Sequence, residues 1–314
     1  MTDIEVKAKP FVKWAGGKRQ LLSTFDELYP AKLKQGKIKR YVEPFVGGGA
    51  VFFDLVSKYD FEEIVLNDVN KILVTTYSVI KNDVDQLIDE LESLQTQYFE
   101  KDTEERERYY YQIRAEFNEL KGAIEFNSED SDISRTQVLI CSYFLFLNKT
   151  CFNGLYRENK KGAFNVPFGK YKNPKILDRE NLLSIHKVLK KATLKSGDFE
   201  SLTKYITKDT FVYLDPPYRP LNVTSSFSSY SKGDFNDDEQ KRLAKWFREM
   251  SRTGAALMLS NSNPKNTNPE DTFFDELYEG FKLYDNIYAS RAINSKASKR
   301  GAITELVVIN EGEE

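Results

Sequence analysis

The stretch Asp209-Thr210-Phe211-Val212-Tyr213-Leu214-Asp215-Pro216-Pro217-Tyr218 decides how this chain is read. Its first half is apolar and β-rich, the pattern of a buried strand. The two prolines end that strand, because neither can donate to a sheet ladder. An acid, a rigid turn and an aromatic ring therefore sit at the carboxyl end of a strand, where open α/β sheets bind ligands. An ionised Asp215 offers only acceptors, and Pro216 brings a carbonyl with no N–H of its own. Together they could accept both hydrogens of an amino group, with Tyr218 flat against the ring that carries it. The plainer reading, a strand-to-loop turn with a capping acid, is about equally supported by these residues alone.

Two stretches upstream shift that balance. Tyr41-Val42-Glu43-Pro44-Phe45-Val46-Gly47-Gly48-Gly49 followed by Ala50–Leu55 reads as strand, glycine turn and helix. Such a turn lets a ligand approach the backbone at a helix N-terminus. It is not the dinucleotide pattern, since Phe52 stands where the last glycine would be. The next strand, Glu63–Asp68, ends in an acid where ribose hydroxyls are usually held. Gly47, Gly49 and Asp68 thus point to a nucleoside-containing cofactor. In Lys13-Trp14-Ala15-Gly16-Gly17-Lys18, the Lys18 ammonium is suited to meet a carboxylate. This is no Walker A loop: Val12 takes the place of its first glycine and Arg19 that of its Ser or Thr.

Composition bounds the rest. The 314 residues exceed the ~100–200 of one ordinary domain, so two lobes or a large insertion are expected. No apolar run approaches the ~18 residues of a membrane span, and Met1-Thr2-Asp3-Ile4-Glu5-Val6 does not show the signal-peptide pattern. With only Cys141 and Cys151, neither in metal spacing, a reduced cytoplasmic setting is expected, with no metal. His186 is the only histidine, which excludes histidine-based metal clusters. The net charge of −2 alone argues against a polyanion partner, but its distribution does not. Residues 83–130 hold fifteen acids and five bases, whereas 149–175 hold seven bases and one acid. Residues 289–302 add Arg291, Lys296, Lys299 and Arg300. The basic stretch 151–172 also carries Phe152, Tyr156, Phe164, Phe168 and Tyr171, too many rings for a solvated loop.

Periodicity places the remaining elements. Helical spacing runs through Ile72–Ile80, Val84–Leu94, Glu104–Leu120 and Gln137–Asn148, a helical insertion of about 80 residues. Gly154, Gly162 and Gly169 then punctuate a predicted two-stranded basic ribbon, turning at Glu158–Gly162, of a kind that fits a DNA major groove. The α/β pattern returns with strands at 193–196, 209–214, 255–260, 282–289 and 303–309, and helices at 237–252 and 273–278. Pro220–Gly233, rich in Ser, Thr, Asn and Gly, is expected to be an active-site loop.

In that order, Lys13–Lys18, Glu43–Gly49, Asn67-Asp68, Asn153–Arg157, Phe164–Tyr171, Gly197–Phe199 and Asp215–Tyr218 make a specific set. Over nearly its whole length the chain resembles the Dam-type DNA adenine-N6 methyltransferases that modify GATC, close to those of restriction-modification systems. The resemblance implies an α/β, Rossmann-like, S-adenosylmethionine-dependent methyltransferase. Its seven-stranded sheet would end in an antiparallel hairpin and carry an inserted helical and β-hairpin target-recognition domain. Residues 1–69 and 178–314 would form the catalytic domain and 70–177 the insertion. Asp215, Pro216 and Tyr218 would be catalytic. Trp14, Lys18, Asp68 and Asp215 would contact the cofactor, with Phe45, Gly47 and Gly49 beside it and Asp198 and Phe199 flanking its adenine. Lys13, Phe152, Asn153, Leu155, Arg157, Pro167 and Tyr171 would contact duplex DNA, Arg157 reading the guanine paired with the last cytosine of GATC. A companion restriction endonuclease would be a functional partner without direct contact. Phe152 departs from the tyrosine that some relatives insert into the base stack, and Lys170 from an arginine. A cytosine-N4 or RNA methyltransferase would share the cofactor motifs, and a catalytically silent nucleic-acid-binding subunit would share the basic segment. The aromatic basic ribbon favours duplex DNA over the first, and intact Lys18, Asp68 and Asp215 oppose the second.

Overall fold

The computed structural model describes residues 7–124, 126, 132–219, 235–290 and 302–310. In chain order the elements are α1 (Leu22–Leu28), α2 (Ala31–Lys34), β1 (Arg40–Glu43), α3 (Ala50–Val56), β2 (Glu63–Asp68), α4 (Lys71–Asn82), α5 (Val84–Phe99), α6 (Thr103–Leu120) and α7 (Arg135–Thr150). There follow α8 (Arg179–Leu189), β3 (Ala192–Ser196), β4 (Thr210–Leu214), α9 (Asp237–Ser251), β5 (Ala256–Ser262), α10 (Phe273–Leu277), β6 (Lys282–Ser290) and β7 (Ala302–Asn310). The seven strands form one sheet in the order β3-β2-β1-β4-β5-β7-β6. β4 runs parallel to β1 and β5, whereas β7 is antiparallel to both β5 and β6. The antiparallel last hairpin is thus as expected. The basic residues of 289–302, most of the polar linker near 126–134 and the loop expected at Pro220–Gly233 lie outside the described residues.

The chain divides into two compact units. The first gathers the residues up to Gly17, Val46–Lys58 and Leu66–Gly197. Two of its helices start at side-chain caps. Asp102 and Glu105 form a capping box at α6, and Ser134 and Gln137 one at α7. Helix α7 is buried on every side from Ile140 to Asn148, which matches the mostly apolar run Val138–Leu147.

The second unit comprises Lys18–Phe45, Tyr59–Val65 and Asp198–Glu314. All five residues of β4 are buried, as are all seven of β5. A strand covered on both faces has no polar side to show, hence the unbroken apolar run before Asp215. Leu243, Trp246, Phe247 and Met250 on α9 pack into the same core as Val212, Leu214 and Leu257. Asn236 caps α9 by accepting from the Asp238 and Glu239 amides, and three acids occupy its first turn.

One expectation needs correction. Residues 151–172 do not form a continuous two-stranded ribbon. The turn is present: Asn159 N–H donates to the Ala163 carbonyl, and Gly162, at φ 77°, donates to Asn159. The pairing, however, is reduced to two isolated antiparallel bridges, Cys151 with Phe168 and Glu158 with Phe164. The two bridges are out of register with each other, 158 with 164 and 151 with 168, and Pro167, whose carbonyl faces the other arm, has no N–H to give. On the outward edge of this arm the Asn118 side chain takes the N–H (2.7 Å) and the carbonyl (3.0 Å) of Phe164, and Tyr110 and Arg114 donate to the Val166 carbonyl.

Candidate active site and nucleic-acid interface

In the second unit the Pro216–Pro217 turn ends β4 and leaves Asp215 at the strand's carboxyl end. The Gln240 side chain on α9 donates to the Pro217 carbonyl at 3.0 Å, which fixes the turn. Beyond Tyr218, Arg219 lies 4.0 Å over the Phe273 ring and pairs with Asp237 and Asp271. Lys18 follows the Gly16–Gly17 turn and is only 2% exposed. Its Nζ donates to Asp215 Oδ1 at 2.5 Å and to the Tyr218 hydroxyl at 2.8 Å. The Tyr218 hydroxyl in turn donates to Glu305 Oε1 at 2.8 Å. Ser260 Oγ lies 3.5 Å from Asp215 Oδ1 and shares a 2.7 Å hydrogen bond with the Tyr213 hydroxyl.

The electrostatics follow from burial. Loss of water pushes Asp215 up to about 6; Lys18 opposes that shift and Glu305 adds to it. Burial alone would lower Lys18, but Asp215, Tyr218 and Glu305 outweigh it and hold the ammonium above the ordinary lysine range. Two acids thus share one buried cation. Asp215 is a carboxylate near neutral pH and an acid below about 6, a range suited to proton handling.

Phe45, Asp198 and Phe199 also belong to this unit. Phe45 and Phe199 pack at 5.8 Å between ring centroids, and the Arg242 guanidinium covers Phe199 at 4.2 Å. Asp198 accepts two hydrogen bonds from Arg242, at 2.9 and 2.6 Å, and caps the 3-10 turn Phe199–Tyr205. Arg242 holds its carboxyl below the usual range.

In the first unit the glycine turn is shaped by backbone requirements. Gly47 and Gly49 have φ of 48° and 73°. A Cβ on Gly49 would lie 2.6 Å from the Tyr77 hydroxyl, and one on Gly47 2.8 Å from Trp14 Cδ1. The Tyr77 hydroxyl donates to the Gly47 carbonyl at 3.1 Å. Asp68 closes the turn: Oδ2 accepts from Gly47 N–H at 3.0 Å and Oδ1 from Asn70 N–H at 2.9 Å. Burial raises Asp68, and those amides oppose it. The Trp14 ring stacks on Tyr156 at 5.6 Å.

The expected DNA-contacting residues all lie in this first unit. Phe164, Val166 and Phe168 are buried, which turns the intervening Pro167 outward. Phe152 and Leu155 are large apolar side chains left 51% and 41% exposed beside it. Asn153 has φ 57°, and its N–H donates to the Tyr171 hydroxyl. Lys13 Nζ lies 5.0 Å over the Tyr171 ring. Arg157 is exposed and oriented by Asn165, whose side-chain oxygen accepts from Nε at 2.8 Å.

Sequence reasoning missed several partners. Asn148 is one: it accepts from Lys13 N–H, then donates to the carbonyls of Lys13 and Gly154. Tyr156 and Arg242 are others. Glu305 had a signal, since an acid inside the apolar run of β7 has to be paired.

A model of the D12 class N6 adenine-specific DNA methyltransferases matches residues 14–291. The type II methyltransferase M.MjaIII of Methanocaldococcus jannaschii is 50% identical over 306 residues, 97% of this chain and 100% of that relative. The type II methyltransferase M1.LlaDCHI of Lactococcus lactis subsp. cremoris is 38% identical, over 98% of this chain and 97% of its own. A DNA adenine methylase of Haemophilus influenzae is 31% identical, over 97% and 94%. Among the described residues no helix is long and apolar enough to cross a membrane.

Proposed function

The chain belongs to the D12 class of N6 adenine-specific DNA methyltransferases, and from that premise we propose that it methylates the adenine of GATC in duplex DNA, using S-adenosylmethionine and a flipped-out target base. The observation that carries the proposal is the Asp215 carboxylate at the Pro216–Pro217 turn, beside an aromatic ring and a buried ammonium.

The donor set suits that cofactor. Asp68 accepts from backbone amides including those of Gly47 and Asn70, and its remaining acceptor capacity would serve the ribose hydroxyls. Gly47 and Gly49 give the positive-φ turn that Asp68 closes, and Trp14 packs against that turn with a flat aromatic ring. In the second unit Lys18 answers a carboxylate, Asp215 an ammonium, and Phe45, Asp198 and Phe199 the adenine. When bound, S-adenosylmethionine supplies a methyl group on a positively charged sulfur, which keeps the electron pair of the broken S–C bond.

An exocyclic adenine amine is a poor nucleophile, because its lone pair is conjugated into the ring. Asp215 and the Pro216 carbonyl accept its two hydrogens and favour a pyramidal nitrogen with a directed lone pair. Forming the N–C bond leaves nitrogen with one proton in excess, which passes to Asp215. Tyr218 is the stacking platform for the flipped base, a contact worth ~1–3 kcal/mol. The segment 70–177 recognises the target. Arg157 supplies a fork of donors for guanine O6 and N7, and Lys13, Phe152, Asn153, Leu155, Pro167 and Tyr171 are its neighbours in contact with DNA. A companion restriction endonuclease fits a relationship to type II methyltransferases.

The test is label transfer from S-adenosylmethionine to duplexes with and without GATC, followed by nucleoside analysis. N6-methyladenine confined to the GATC duplex is expected. N4-methylcytosine, or equal labelling of both duplexes, would refute the reading.

A further inference from the structure

Glu305 has no part in the chemistry described so far, yet it is 7% exposed and faces the reacting group. It stands on β7 opposite Ser262 of β5 and Ile287 of β6, so a neighbouring strand holds its backbone on each side. Its Oε1 accepts the Tyr218 hydroxyl. Its Oε2 is buried without a hydrogen-bond partner and lies 3.7 Å from Lys18 Nζ. Buried acceptors are nearly always paired, so this oxygen needs an explanation.

The geometry around Lys18 supplies one. The ammonium sits 2.5 Å from Asp215 and 3.7 Å from Glu305. While Asp215 holds the ammonium, it has less acceptor capacity for the hydrogens of an incoming amine. An ion pair cannot simply be broken in a buried site, because the charge left behind is costly. A second carboxylate within reach removes that cost, since a shift of about 1 Å exchanges one partner for the other. The Tyr218 hydroxyl has a single hydrogen and gives it to Glu305, so the same acid also orients the ring.

We propose that Glu305 is a positioning residue for methyl transfer: it fixes the Tyr218 ring and receives the Lys18 ammonium as Asp215 turns to the target amine. The inference rests on the adenine-methylation reading above. It also has an electrostatic consequence. Among the described residues, the polar groups facing Asp215 are Lys18, Glu305, Tyr218, Tyr213 and Ser260. Of these, Lys18 favours the carboxylate and Glu305 opposes it. Neutralising Glu305 should therefore make Asp215 easier to ionise, and harder to separate from Lys18.

The experiment is single-turnover methyl transfer as a function of pH for the wild type, Glu305→Gln and Glu305→Asp, with duplex and cofactor affinities and melting temperatures measured alongside. Glu305→Gln should slow transfer at neutral pH by about tenfold or more and move the acid limb to lower pH, with both affinities within about twofold of wild type. Glu305→Asp, which keeps the charge, should keep the acid limb in place. An unchanged rate and limb in Glu305→Gln would overturn the inference. So would a slower rate that tracks a lowered melting temperature while the limb stays put. If Glu305→Gln fails to fold, the rate of Glu305→Asp decides: its shorter carboxylate draws back from Lys18 and Tyr218, so transfer should slow, and a wild-type rate would overturn the inference. Wild-type protein that leaves adenine unmethylated would instead remove the reading on which the inference rests.

Discussion

Asp68 and Asp215 are both acids at the carboxyl end of a strand, and burial raises both, but they are held by opposite means. Asp68 is tied down by the backbone amides of Gly47 and Asn70. Those donors are neutral main-chain groups, one in the glycine turn and one at the N-cap of α4. Asp215 is held by an ammonium on a long side chain, which has a second acid 3.7 Å away. An acid fixed by amides is part of a scaffold and presents its remaining lone pairs in one direction. An acid fixed by a movable cation can change its partner and its protonation. On the reading proposed above, Asp68 serves binding alone, whereas Asp215 also serves the chemistry.

The largest effect should come from Asp215→Ala. Losing the acceptor should cost about 10²–10³-fold or more in transfer while GATC binding persists, since the duplex contacts are assigned to the other unit. Substantial single-turnover transfer by this variant would break the contrast at once. Next is Lys18→Met, which strands Asp215 without its cation. Breaking such a pair costs about 3–5 kcal/mol, readable by chemical denaturation. It should also move Asp215 further up. A carboxyl above its ordinary range loses its charge as pH falls, so kcat/KM of the wild type should drop as pH passes down through about 6. In Lys18→Met that limb should lie at higher pH. An unmoved limb would mean that Lys18 does not control the acid.

Asp68→Ala should weaken S-adenosylmethionine binding by about 1.5–3 kcal/mol in a calorimetric titration, as a charged acceptor is lost. Unchanged affinity would remove Asp68 from the cofactor. The smallest effect concerns sequence readout. Arg157→Ala should cost ~1–3 kcal/mol on GATC and much less on a site altered at its last base pair. Lys160→Ala should weaken all sequences alike and flatten the salt dependence. If Arg157→Ala leaves the ratio between the two sites as in wild type, Arg157 contacts phosphate only.

The two acids also mark what the sequence could tell. Asp68 was legible because its strand, its terminal position and the glycines are all local pattern, and the Gly47–Gly49 turn has the positive φ values that only glycine adopts easily. Asp215 was legible as an acceptor because two prolines end an unbroken apolar strand. Its partners were harder to read. Lys18 is separated from it by 197 residues and Glu305 from Tyr218 by 87, and no periodicity links such positions. The same holds for Asn148 with Lys13 and for Arg242 with Asp198. The ribbon was over-read for a related reason: glycines and aromatics signalled a turn correctly, but the slip in register between the 158/164 and 151/168 bridges leaves no mark in local pattern.

The most direct test of the division between a binding acid and a chemical acid is a pair of isosteric variants. Asp68→Asn and Asp215→Asn should be compared in single-turnover transfer to a GATC duplex as S-adenosylmethionine is raised to saturation. Asp68→Asn should climb toward the wild-type rate, because only affinity was lost. Asp215→Asn should stay slow at every concentration. Full recovery of Asp215→Asn at saturation, or failure of Asp68→Asn to recover, would contradict the account.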